Sequence, residues 1–262
     1  MVSLTFALLA AGSASFLLAG QSDGLKHPPA IPPSAAASGE TQPRSANTTS
    51  EMRGDALMGR KNYQEAIATY QDAVRDQAIL LNKIGIAYHQ LMDLDTAKRY
   101  YERALQINPN YSEAINNLGT IYYAKKDYGK AEREYKKALK LTPQSASIYS
   151  NLGTAYFARK RYDEAMQAYQ KALSLDPEVF EHRSSAGVLL QERSVAERAK
   201  FHFYMAKTYA KAGVFDRALL YMRRALEEGF TERDRFRQDP EFAQMQEMPE
   251  FQQLLLLEPR VL

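Results

Sequence analysis

The chain has no cysteine among its 262 residues. That excludes disulfides, thiolate metal sites, a cysteine nucleophile and a lipid-modified N-terminal cysteine. Tryptophan is also missing, so the aromatic content falls on 17 Tyr and 11 Phe. Histidine is scarce: His27, His89, His182 and His202 are the only four, and their spacing matches no metal-ligand motif. There is almost no excess charge of either sign. The 34 basic and 31 acidic residues leave +3, which gives no electrostatic reason to expect nucleic acid. No Gly-rich phosphate loop, HExxH or GxSxG is present. The expectation is a chain that is not an enzyme, with no catalytic residue, cofactor or metal and no nucleic-acid partner.

Two N-terminal segments stand apart from the rest. Val2 to Gly20 carries no charged side chain and is rich in Leu, Ala, Phe and Ser. An apolar run followed by small residues has the form of a secretory signal. Its length, about 19 residues, is also near that needed to span a bilayer. Residues 1–20 are therefore expected to be a signal peptide or a membrane anchor, with residues 2–20 as the possible tether. Residues 21–46 hold Pro28, Pro29, Pro32, Pro33 and Pro43 among many Ala, Ser and Thr, with no apolar period. They read as a disordered linker. Together the two segments predict an exported protein, periplasmic or extracellular, or one anchored and facing outward.

The middle of the chain repeats. Gly85, Gly119 and Gly153 are 34 residues apart, as are Pro109, Pro143 and Pro177. Ala97, Ala131 and Ala165 share the period, and so do Tyr101, Tyr135 and Tyr169. Within one unit Ile115, Leu118, Gly119 and Tyr122 fall on one helical face, and Ala131, Tyr135 and Ala138 form a second stripe. A polar turn, Lys125 to Gly129, separates them. Small Gly119 and Ala131 let two antiparallel helices approach, Tyr122 and Tyr135 fill the space around them, and Pro143 ends the second helix. Each unit is a hairpin that buries its stripe only when the next one stacks on it.

These residues resemble the tetratricopeptide repeat. Ile115, Leu118-Gly119, Tyr122, Ala131, Tyr135, Ala138 and Pro143 follow that family's pattern. The resemblance implies an all-α, right-handed superhelical solenoid of stacked antiparallel helix hairpins, with short C-terminal capping helices. The domain is expected at residues 47–262. Regular copies lie at 78–111, 112–145 and 146–179. A shortened copy precedes them at about 47–77, where Gly54, Ala66, Tyr70 and Ala73 fit. An insert at 180–198, containing Val188-Leu-Leu190, precedes a degenerate copy at 199–232. There Met205-Ala206 replaces Leu-Gly and Met222 replaces the aromatic. Residues 233–262 form the cap, whose two Pro-Glu-Phe segments each open a short helix on proline. The insert is expected to pack on the last repeat, or to act as a lid or partner-specific contact.

By the same resemblance, ligands sit in the concave groove formed by the first helix of each copy. The spacing gives the same face, about 100° from the core stripe. It places Asn82, Ile86 and His89 in one copy, Asn116, Asn117, Thr120 and Tyr123 in the next, and Ser150, Asn151, Thr154 and Phe157 in the third. Asn amides suit a peptide backbone, and rings suit apolar side chains. Asn117 and Asn151 also fit bonds between neighbouring repeats. The middle copies put almost no Lys or Arg on this face, unlike the charged clamp by which some family members hold acidic C-termini. Lys207, with Lys200 and Lys211, adds a basic end. The Lys125-Lys126 and Arg159-Lys-Arg161 runs read as solvated turns. The expected function is a non-catalytic protein–protein interaction scaffold that binds a peptide or protein partner in the groove, in the bacterial cell envelope. The alternative is a self-associating structural or assembly factor acting through repeat ends or the insert.

Overall fold

The computed structural model describes residues 44–73, 77–180 and 194–257. The apolar segment 1–20, residues 21–43 of the linker expected at 21–46 and Val188-Leu-Leu190 of the insert lie outside the described residues, and residues 44–46 belong to the first helix instead of the linker. Among those described there is no strand. The helices pair as hairpins: α1 (Arg44–Gly59) with α2 (Tyr63–Ala73), α3 (Ala78–Gln90) with α4 (Leu94–Ile107), α5 (Ser112–Ala124) with α6 (Tyr128–Leu141), and α7 (Ala146–Ala158) with α8 (Tyr162–Leu175). After the insert come α9 (Val195–Lys211) with α10 (Phe215–Glu227), then α11 (Arg235–Gln238), a 3-10 helix (Pro240–Met245) and α12 (Pro249–Leu255). Each hairpin packs on the next, and α9 packs on α8, so the stack continues past the insert. This is the expected all-α solenoid of stacked hairpins.

The periodic residues explain the hairpins. A Cβ on Gly85, Gly119 or Gly153 would lie 2.6, 2.7 or 2.5 Å from the ring of Tyr101, Tyr135 or Tyr169. Gly54 stands in the same relation to Tyr70. Those four tyrosines are among the largest fully buried side chains. In the degenerate copy Ala206 replaces glycine where Met222 replaces tyrosine, and both are fully buried. The methyl group is accommodated where the rigid ring is gone.

The turns repeat as closely. Lys61, Met92, Lys126 and Lys160 all adopt positive φ, near 62°, and the corresponding residue of the last hairpin is Gly213. Asp93 and Asp127 then cap the second helices, their carboxylates accepting from the amides of Thr96 and Lys130, both at 3.1 Å. Helices α4, α6 and α8 stop two residues before Pro109, Pro143 and Pro177.

The C-terminal end is closed by aromatic packing. Phe203 of α9 stacks on Phe230 at 4.3 Å between ring centroids. Phe236 and Phe242 pack beside it, and Phe251 of α12 meets Phe242 at 6.0 Å. Both Pro-Glu-Phe segments open on proline in the first turn, as expected, and each buries its phenylalanine completely. Among the described residues no helix is long and apolar enough to cross a membrane.

Candidate functional site

The first helices of the regular copies touch one another, α3 against α5 and α5 against α7. A cavity of about 970 Å³ runs along them and reaches the first turns of α9. Of the residues predicted from sequence, Ile86, His89, Asn116, Asn117, Thr120, Tyr123, Asn151 and Phe157 line it. Asn82, Ser150, Thr154 and Lys207 do not. Asn82 and Ser150 lie almost wholly beneath the surface, and Thr154 faces inward.

The amides are joined into one chain across three repeats. Asn151 Nδ2 donates to Asn116 Oδ1 at 3.0 Å, and Asn117 Nδ2 donates to Asn82 Oδ1 at 3.0 Å. A longer bond, 3.4 Å, runs from Asn116 Nδ2 to Asn117 Oδ1. Asn82 Nδ2 donates in turn to Glu113 Oε1 at 3.0 Å. The two bonds between neighbouring asparagines of successive copies both donate towards the N-terminal copy, and the chain finishes on a carboxylate. The Tyr111 hydroxyl also donates to Glu113, and its pKa is pushed up to about 12 by burial and by that carboxylate. The ladder stops at Asn151 because the corresponding residue of the next copy is Tyr204, whose ring stacks on Tyr162 at 4.8 Å.

The threonines serve the core tyrosines. Thr120 and Thr154 each donate back to the carbonyl four residues earlier, and each accepts a hydroxyl, from Tyr135 and Tyr169 respectively, at 3.3 Å. In the copy before, Ile86 occupies this position. The Tyr101 hydroxyl is therefore buried with no hydrogen-bond partner. In the last copy the position is Lys207, whose ammonium lies 2.8 Å from Asp239 and 3.1 Å from Glu241. Of the predicted basic end, Lys207 is thus part of the cap, whereas Lys200 lines the cavity.

The rings are deeper than the sequence suggests. Tyr123 is 6% exposed and leans on Tyr128 at 5.1 Å; Phe157 is 4% exposed, wedged among Tyr162, Phe201 and Tyr204. Tyr122, expected to fill the core, is only half-buried and lies between the ammonium groups of Lys98 and Lys130. The aromatic pair is therefore rotated from its expected setting, with Tyr123 turned inward and Tyr122 outward under cations. His89 is held below the ordinary imidazole range by burial, which leaves it neutral at neutral pH.

Sequence reasoning missed the lip of the cavity. Met92, Lys126 and Lys160 line it, together with Tyr128 and Tyr162 from the second helices. Met92, Lys126 and Lys160 are the left-handed turn residues, 34 apart, so the period contained the signal. The wall supplied by α9 was also readable. Ser194 and Glu197 form a capping box, with the Glu197 amide donating to Ser194 Oγ and the carboxylate receiving the Ser194 amide. That motif starts the helix at Val195, inside the segment assigned to the insert. Among the described residues no three His, Asp or Glu converge as a metal site would require.

Comparison with known proteins agrees with the architecture. The tetratricopeptide repeat family profiles match residues 76–144 and 146–179. No curated protein sequence matches the chain. Among solved structures it is similar to a MamA crystal structure at 21% identity, over 67% of this chain and 93% of that one, with a TM-score of 0.46. It is also similar to MamA from residue 41 to the end from Desulfovibrio magneticus RS-1, at 20% identity over 70% and 94%, with a TM-score of 0.49. The stacked hairpins, the glycine–tyrosine contacts and the two profile matches together identify residues 76–144 and 146–179 as tetratricopeptide repeats.

Proposed function

We propose that this interaction scaffold holds a peptide or a peptide-like segment of a protein partner in the cavity along α3, α5 and α7, and that it does so without catalysing a reaction. One observation carries the reading. The cavity, about 970 Å³, combines rings, aliphatic side chains and a row of carboxamides on a rigid repeat scaffold. Amides pair with a main chain, and rings take apolar side chains at low entropy cost. Phe157 is too deeply packed to be mutated as a probe of binding alone. Ala124 and Ala158, half-buried on the cavity wall, are better positions. A photo-crosslinking amino acid at either should trap a discrete partner, and the same group at exposed Lys137 on α6 should not. Equal trapping from all three positions would remove the groove assignment.

The composition of residues 2–20 supports export of this scaffold into the bacterial cell envelope, with residues 21–43 as tether. N-terminal mass spectrometry on the native protein tests this. Cleavage between about residues 13 and 24 is expected from the small residues that follow the apolar run. An intact Met1 in a soluble cytoplasmic pool contradicts it.

A further inference from the structure

The groups lining the cavity leave an imbalance that defines the chemistry of an occupant. Its two carboxylates are already engaged. Glu113 accepts from Asn82 and Tyr111, and Glu197 is held by the backbone amide and hydroxyl of Ser194. His89 is kept neutral by burial and adds no positive charge. The lysines differ. Lys126 and Lys160 sit on the lip in left-handed turns one period apart, and both are exposed. Neither ammonium group makes an ion pair or hydrogen bond among the described residues, whereas neighbouring Lys125 pairs with Asp95 and Arg159 with Glu132. The second observation is independent of charge. The Tyr101 hydroxyl lines the same cavity, is fully buried, and has no acceptor because Ile86 replaces the threonine found in the next two copies. The uncompensated charge on the lip is positive, and the buried Tyr101 hydroxyl adds a donor without an acceptor among the described residues.

We propose that the occupant is an acidic peptide segment of another protein, in which Asp or Glu side chains flank apolar anchors. The anchors lie among the rings of the cavity. The carboxylates meet Lys126 and Lys160 along the lip, and one acceptor of the segment takes the Tyr101 hydroxyl. This rests on the groove reading above and adds its selectivity. The cations come from the turns between helices, so an internal acidic stretch satisfies them and no free C-terminal carboxylate is required. Like charge at the lip excludes basic segments.

The test uses the full chain and a displayed library of random dodecapeptides. Selected peptides should be enriched in Asp and Glu together with Leu, Ile or Phe, and depleted in Lys and Arg. The double variant K126E/K160E should weaken the best acidic peptides by about tenfold or more and select basic residues instead. Tyr101→Phe, which removes no partnered group, should weaken them by about threefold to tenfold with no loss of thermal stability. If the selected pool has the acidic content of the starting library and its binding still disappears on Ala124→Trp, the groove reading survives and this inference fails. The inference fails too if K126E/K160E binds the acidic peptides unchanged. A pool that binds equally well to Ala124→Trp, or no selected pool at all, overturns both readings. Selection of peptides matching this chain's own residues would assign the groove to a segment of a second copy, and that also overturns the proposal.

Discussion

Tyr101, Tyr135 and Tyr169 occupy one position in three successive repeats, yet their hydroxyls have different surroundings. Tyr135 and Tyr169 each donate to a threonine at 3.3 Å, and Tyr101 has no acceptor. A made hydrogen bond contributes about 0.5–1.5 kcal/mol, and a buried polar group without a partner costs about 1–3 kcal/mol. Tyr135→Phe and Tyr169→Phe should therefore each destabilise by about 1 kcal/mol, and Tyr101→Phe should be neutral or stabilising by a similar amount. Urea denaturation of the three variants decides this, and equal losses at all three positions would refute the assignment. The glycines under these rings make a second prediction. Gly119→Ala drives a methyl group into Tyr135 at 2.7 Å, an overpacking that should cost about 1–3 kcal/mol. Adding Tyr135→Met should recover part of that loss, because the last repeat already combines Ala206 with Met222. A double-mutant cycle with no coupling would show that the pair is not read as a unit.

Between elements, Glu132 ties α6 to the turn of the next hairpin. It is 6% exposed and receives Lys136, Arg159 and Arg161. Arg161 stands where the earlier copies have the capping Asp93 and Asp127, so the α7–α8 hairpin exchanges a helix cap for an inter-repeat ion network. Burial alone raises the Glu132 pKa, but the hydrogen bonds and charges of its cations outweigh it and hold the carboxyl below its ordinary value. With the folded pKa depressed, the contribution to stability is complete above the ordinary value near 4.5 and is lost as pH falls through the folded pKa. The thermal midpoint of the native protein should fall more steeply below pH 4.5 than that of Glu132→Gln, while the native protein stays the more stable at pH 7. Parallel acid limbs would mean that the three cations do not act through this carboxylate. The start of each hairpin was readable from its turn and proline, because those signals are local. The exchange at Arg161 was not, since its partner Glu132 lies 29 residues away in another repeat.

Across the whole molecule, the period made the stack and the cavity face legible, because repeats contact mainly their neighbours. Where the period lapses, legibility lapses with it. Lys207 reads from spacing as the equivalent of Thr120 and Thr154, hence as a groove residue. The C-terminal segment, which has no counterpart in the repeats, brings Asp239 and Glu241 over it and draws it into the cap. Nothing local to Lys207 announces those partners. The consequence is a latch between the last hairpin and the end of the chain, shared with Arg235, which also reaches Asp239 at 3.0 Å. All three ionised groups are largely shielded from water, so removing the ammonium leaves two carboxylates close together with only Arg235 nearby. Lys207→Ala should cost about 3–5 kcal/mol, the range for breaking a shielded ion pair by removing one partner. The damage should also be local, because each hairpin packs mainly on its neighbours in the stack. Hydrogen exchange should accelerate in α9, α10 and the cap, and it should leave α1 to α4 protected as before. Uniform acceleration along the chain would mean that the molecule unfolds as one cooperative block. Restored protection in Lys207→Met combined with Asp239→Asn and Glu241→Gln would show that the stranded charges, rather than the lost packing, opened the end of the stack.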